Sequence, residues 1–132
     1  MNRFLLSLAL FLSIGLSRKT VVKLATLAPE GTEWHGMLIE MGQEWKKKSK
    51  KSVHLRVYPG GVIGDERDMV RKMRIGQIHA AAITTEGLSE IVPDFSAYYV
   101  PLAFQNSEDV MLVTEALLPS LEKQLDEQGF KL

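Results

Sequence analysis

The stretch VHLRVYPGGVIGDERDMVRKMRIGQIHAAAITTEG, Val53 to Gly87, decides the fold. It opens with strict alternation. Val53, Leu55 and Val57 point one way and His54, Arg56 and Tyr58 the other, which is the period of two that a strand imposes. Pro59-Gly60-Gly61 ends the strand. After Gly64, Asp65 offers its side chain as the N-cap of a helix, with Asp68 three residues on. Met69, Val70 and Met73 make the apolar face of that helix, and Gly76 suits the left-handed C′ position. Ile78 to Thr84 (IHAAAIT) then reads as another strand, its alanines small enough for helices to pack closely above and below. Strand, helix and strand in about 30 residues form a βαβ unit with parallel strands.

The same alternation of elements extends outward. Upstream, Thr20 to Leu27 (TVVKLATL) is short, apolar and partly β-branched, so it is expected as a buried strand. Ala28-Pro29-Glu30-Gly31 is a turn, and Thr32 caps a helix with Glu33 in its first turn. Trp34, Met37, Leu38, Met41 and Trp45 recur on one face of this helix, with Trp45 expected in the core. The lysines at 46, 47, 48, 50 and 51 suit its carbonyl end. Downstream, Gly87 to Ile91 is a helical turn that ends near Pro93, and Ala97 to Val100 is extended. Asn106 or Ser107 caps a helix carrying Val110, Met111, Val113, Ala116 and Leu117. Pro119 interrupts it and begins a second piece running to Gln128. Gly129 stops that piece, and Phe130-Lys131-Leu132 begins another strand. The sum is an α/β fold with a parallel-dominated sheet flanked by helices.

Composition narrows the function. Sixteen basic residues balance sixteen acidic ones in the 132-residue chain, so no basic surface argues for nucleic acid. There is no cysteine, which excludes disulfides and thiolate chemistry. Met1-Asn2-Arg3 followed by the apolar run Phe4 to Leu16 has the form of an export signal, too short to span a bilayer. Gly15 and Ser17 are the small residues of a cut after Ser17, so residues 1–17 are expected to be a cleaved signal peptide. Nothing later has transmembrane length, and the mature protein is expected to be soluble.

Topology then points to a site. Right-handed crossovers bring the loops Ala28–Glu33, Pro59–Glu66 and Thr84–Leu88 to one edge of the sheet. Ligands of open α/β sheets bind outside that carboxyl edge, where helix N-termini present free N–H groups. The candidate ligand-binding residues are therefore Thr32, Trp34, His35, Gly61, Thr84, Thr85 and Glu86, with Gly64 at the same edge. Each has a plainer reading: Thr32 as a cap, Trp34 as core, the glycines as turn formers, Glu86 as a helix-start charge. The acids Asp65, Glu66 and Asp68 read as cap and solvent groups. No catalytic residue, metal site or cofactor is expected. PGGVIGDE is neither a P-loop nor G-x-G-x-x-G, and His35, His54 and His79 lack the spacing of a zinc site.

The segment from Tyr58 to Ile91, YPGGVIGDERDMVRKMRIGQIHAAAITTEGLSEI, resembles the signature region of TRAP transporter substrate-binding proteins of the DctP type. Leu24 to His35 (LATLAPEGTEWH), FSAYYVPLAFQNSEDV and the closing EQGFKL are similar to the same family, so the resemblance covers nearly the whole mature chain. It implies a periplasmic receptor, not an enzyme, with two lobes of the type II periplasmic-binding-protein kind. Such a receptor closes on a small organic anion, a carboxylate, and delivers it to TRAP permease membrane subunits driven by an ion gradient. Residues 18–132 would be the N-terminal lobe, truncated near the first hinge-crossing strand, of a protein that is monomeric at full length. The arginine that pairs with the carboxylate in the family lies in the other lobe and has no counterpart here. Two departures stand out. Ser89 falls where sialic-acid-type members carry an arginine, and Trp34-His35 replaces the small polar residues of some dicarboxylate binders. The competing readings are an exported enzyme or a ligand sensor built on the same lobe.

Overall fold

The computed structural model describes residues 19–132, so the signal-peptide reading of 1–17 lies outside the described residues. Strand β1 (Thr20–Thr26) is central. It pairs in parallel with β2 (Val53–Tyr58) from Thr20↔Val53 to Ala25↔Tyr58, and with β3 (Ala80–Ala82) from Leu24↔Ala80 to Thr26↔Ala82. The strand order is β2-β1-β3. The chain thus leaves β1 in one direction and crosses back over it to reach β3. With right-handed crossovers these opposite moves place the two intervening helices, α1 (Glu33–Lys48) and α2 (Glu66–Arg74), on opposite faces of the sheet.

Local chemistry explains the element ends. The Thr32 and Asp65 side chains accept from the backbone N–H of His35 and Asp68, as N-caps of α1 and α2. The lysines in the last turn of α1 face the negative end of its dipole. Gly76 follows the C-cap of α2 with φ +71°, the left-handed geometry that ends a helix.

The core lies on the α2 side. Met69 and Val70 of α2 join Ala25 of β1, Ile78, Ile91, Val92 and Phe95, and the sheet is closed there by Leu121 and Leu125. Those leucines belong to the last helix, α4 (Ser107–Glu127), which follows a short α3 (Thr85–Ser89).

Several expected boundaries shift. β3 covers three residues instead of Ile78–Thr84, because only Leu24–Thr26 of β1 reach it and the Thr84 N–H turns to a side chain. Residues Pro93–Tyr99 form a 3₁₀ helix where an extended segment was expected over Ala97–Val100. Proline at the start suits a helical φ, and the three-residue turn puts buried Phe95 and Tyr98 on one side, stacked at 6.3 Å. Pro119 does not divide α4: one helix of 21 residues runs through it. The proline removes one N–H bond, but Leu121 and Leu125 beyond it are 2% and 1% exposed and anchor the second half. Phe130–Leu132 is not a strand. The Phe130 N–H closes the helix end on Leu125 O, and its ring packs on the core beneath Arg74. Trp45 is half-buried, not core.

Candidate functional site

The carboxyl edge of the sheet is where β1, β2 and β3 all end, and the backbone stitches their loops together. Gly60 N–H donates to Ala28 O at 2.9 Å and Gly61 N–H to Thr26 O at 3.0 Å. Gly61 has φ +69°, a conformation that a side chain resists, and its neighbour Leu27 lies against the same spot. The third loop is tied by a side chain. Glu66, the first residue of α2, accepts from Thr84 N–H at 2.8 Å with one oxygen and from the Thr84 hydroxyl at 2.7 Å with the other. Thr84 sits at the N-cap of α3, where its side chain makes no cap bond and gives its hydroxyl proton to Glu66. The close approach requires Gly87: a Cβ there would stand 2.7 Å from Glu66 Oε2 and 2.9 Å from its Cβ.

Glu66 forms a ridge between two recesses. On one side is a groove of about 480 Å³, walled by Trp34, Met37, Leu38 and Met41 of α1 and by Leu27 and Ile83 of the strand ends. Trp34 is 73% exposed and Met37 62%, while Leu38 and Met41 are half-buried, so the first turn of α1 presents its apolar side chains to open space. On the other side is a polar recess of about 390 Å³ holding Asp65, Arg67, Glu86 and Glu90. There Arg67 donates to Glu90 from Nε and Nη2, at 3.0 and 2.8 Å. Those hydrogen bonds, and then the charge of Glu90, raise the Arg67 pKa above its ordinary value, and the guanidinium is a permanent cation in any case. The Arg67 side chain is 77% exposed and that of Glu90 35%, so solvent screens the pair and its value for stability is small.

The residues expected at this edge divide by task. The Thr32 hydroxyl caps α1 and donates to Pro29 O at 2.8 Å, while His35 Nδ1 accepts from Gly31 N–H at 3.3 Å. Both hold the first loop in shape. Trp34 and Thr84 line the apolar groove, Glu86 lines the polar recess, and Thr85 is half-buried at the start of α3. His79 lies at the opposite edge, where its Nδ1 accepts from Lys23 N–H. Glu66 and Arg67 were not among the expected site residues. Neighbouring acids on a first helical turn read as cap and solvent groups. That holds for Asp65, which caps, and for Asp68, which pairs with Arg71. A single sequence carries no sign that Glu66 reaches across to Thr84. Among the described residues no group of three or more His, Asp or Glu side chains could hold a metal ion. No helix of the described residues is long and apolar enough to cross a membrane.

A three-stranded parallel lobe with its loops gathered round recesses at the carboxyl edge is the architecture of a ligand-binding α/β protein. Comparison with known proteins agrees. The profile of bacterial extracellular solute-binding protein family 7, DctP, matches residues 24–132, and the chain belongs to that family. It is 28% identical over 100 residues to a solute-binding protein of Roseobacter denitrificans, covering 76% of this chain and 30% of that protein. The crystal structure of this TRAP periplasmic solute-binding protein with bound L-galactonate superposes with a TM-score of 0.72 at 25% identity, over 83% of this chain and 37% of that one. A TRAP periplasmic solute-binding protein of Ochrobactrum anthropi, with its own C-terminus in the ligand-binding pocket, gives 0.73 at 23% identity, over 86% of this chain and 36% of that one. One from Citrobacter koseri with bound D-glucuronate gives 0.69 at 24% identity, over 81% and 36%. The chain therefore spans about a third of the length of these relatives. They are solute-binding proteins, which points away from enzymatic activity.

Proposed function

We propose that the protein is the periplasmic receptor of a TRAP-type, ion-gradient-driven importer, which binds a small organic anion and hands it to the membrane permease subunits. Residues 1–17 are its export signal, cut after Ser17, and residues 18–132 form the first lobe of a two-lobed, monomeric receptor. The observation that carries this reading is the gathering of the β1, β2 and β3 loops at one edge, stitched by Gly60, Gly61 and the Glu66–Thr84 bonds, in a chain of the solute-binding family.

The ligand rests against that edge. Trp34 and Thr84 meet it from the groove, and Thr85 and Glu86 from the start of α3. Thr32, His35 and Gly61 keep the facing loops in register. Glu86 as a carboxylate only accepts hydrogen bonds, so it meets a hydroxyl or a cation and not the ligand's own carboxylate.

Mass spectrometry of small molecules that co-purify with the full-length gene product tests the reading. A carboxylate in stoichiometric amount is expected. Loss of one buried hydrogen bond to a charged group costs about 1.5–3 kcal/mol, so Glu86→Ala is expected to weaken that binding roughly tenfold or more. His79→Ala, at the far edge, is expected to leave it unchanged. Equal affinities for the Glu86→Ala variant and the parent would leave Glu86 as a helix-start charge. N-terminal sequencing of the exported protein is expected to begin at Arg18.

A further inference from the structure

Helix α3 is too short to hold its own start. It has five residues, little more than one turn, and so short a helix does not persist on its own. Its two ends are fixed differently. At the C-terminal end Arg67 grips Glu90, the Ile91 N–H closes on Leu88 O, and Ile91 and Val92 enter the core. At the N-terminal end Thr84 makes no side-chain cap bond, and among the described residues the side chain that ties it is Glu66.

Glu66 meets α3 on both sides of Thr85 and Glu86. Its two oxygens take the Thr84 N–H at 2.8 Å and the Thr84 hydroxyl proton at 2.7 Å. Gly87 is buried against the same side chain, so close that an added Cβ would stand 2.9 Å from Glu66 Cβ and 3.1 Å from its Cδ. Residues 84 and 87 are thus both seated on one side chain, and the backbone of the two residues between them cannot shift without breaking that seat. The Glu86 side chain is exposed and makes no hydrogen bond of its own among the described residues, so the seat decides where it stands. All these contacts lie within the lobe and hold whatever stands beyond the carboxyl edge.

Resting on the receptor reading above, we infer that Glu66 is a positioning residue: without touching the ligand, it sets where α3 presents Glu86. Hydrogen bonds weaken steeply with misplacement, so affinity depends on the reach of the side chain at position 66 and not on its charge. Two substitutions separate these. In Glu66→Gln the amide keeps the reach, since its oxygen accepts the Thr84 N–H and its NH₂ donates to the Thr84 hydroxyl oxygen. In Glu66→Asp the charge stays, and the side chain is one methylene short.

The test is calorimetry on the full-length gene product, stripped of bound small molecules. The titrant is the carboxylate that mass spectrometry finds in the protein as purified, with L-galactonate and D-glucuronate titrated beside it. Glu66→Gln is expected to bind within about threefold of the parent, and Glu66→Asp roughly tenfold or more weaker. In ligand-free Glu66→Asp, amides 84–87 should exchange faster while those of Met69 and Val70 keep their protection. In a Glu86→Ala background, Glu66→Asp should cost about threefold or less, because the group it positions is gone. Parent-like binding by Glu66→Asp would overturn the inference. A loss in Glu66→Gln as large as in Glu66→Asp would place the carboxylate itself on the ligand and overturn it too. So would a full further tenfold loss in the Glu86→Ala background, which would mark a general loosening. Each of these outcomes leaves the receptor reading standing. Absence of any co-purifying carboxylate, with neither sugar acid binding, would remove the receptor reading and the inference together.

Discussion

The two faces of the sheet carry helices of similar apolar content to opposite ends. On the α2 face, Met69 and Val70 are buried together with Leu121 and Leu125 of α4, and these side chains close a core. On the α1 face no residue of the helix is fully buried, and its stripe of Trp34, Met37, Leu38 and Met41 stands over an open groove. Both stripes follow the helical period. The difference lies in what the chain supplies opposite them: Leu121 and Leu125 of α4 close over the α2 side, while β2 meets α1 at Gly42 and Leu55 and, among the described residues, nothing stands over Trp34 and Met37. Hydrophobic periodicity therefore identifies a face that must be buried and leaves open whether protein or ligand buries it.

Substitutions can break this comparison. The largest effect belongs to the closed face. Leu125→Ala removes a side chain that is 1% exposed and is expected to cost about 2–5 kcal/mol in urea unfolding. Next is the junction of α2 and α3. In Gly87→Ala the new methyl group would press on Glu66, and a loss of about 1–3 kcal/mol is expected, together with loosening of the Thr84 bonds in amide exchange. On the open face the sign reverses. A Cβ at Gly36 of α1 meets nothing within 4 Å, so Gly36→Ala is expected to raise stability by about 0.5–1 kcal/mol. The smallest effect is that of Trp34→Ala, expected to stay within about 0.5 kcal/mol of the parent, since the ring is 73% exposed. A loss of several kcal/mol there would mean that α1 is a core helix after all.

Much of this architecture was legible in the sequence because local chemistry specifies it. The alternation of Val53–Tyr58 gives β2 at its observed boundaries, and Thr32, Asp65 and Asn106 cap the helices that follow them. What stayed hidden depends on contacts distant in sequence. Pro119 reads as a break until Leu121 and Leu125 are seen to anchor the turn beyond it. The 3₁₀ helix at Pro93–Tyr99 follows from burying Phe95, which no local pattern announces. At the site, the edge and its loops followed from topology, and Trp34 was read both as core and as ligand contact. Glu66 was missed because its partner Thr84 lies 18 residues away on another loop.

The central claim is that ligand meets this lobe at the carboxyl edge and on its open face. Hydrogen–deuterium exchange of the full-length gene product, with and without the carboxylate that co-purifies with it, tests this most directly. Slower exchange is expected for amides in residues 30–36, 60–66 and 84–87. Amides at the opposite edge, in residues 49–53 and 76–79, are expected to be unchanged. Protection of those opposite turns, with the carboxyl-edge loops unaffected, would contradict the account.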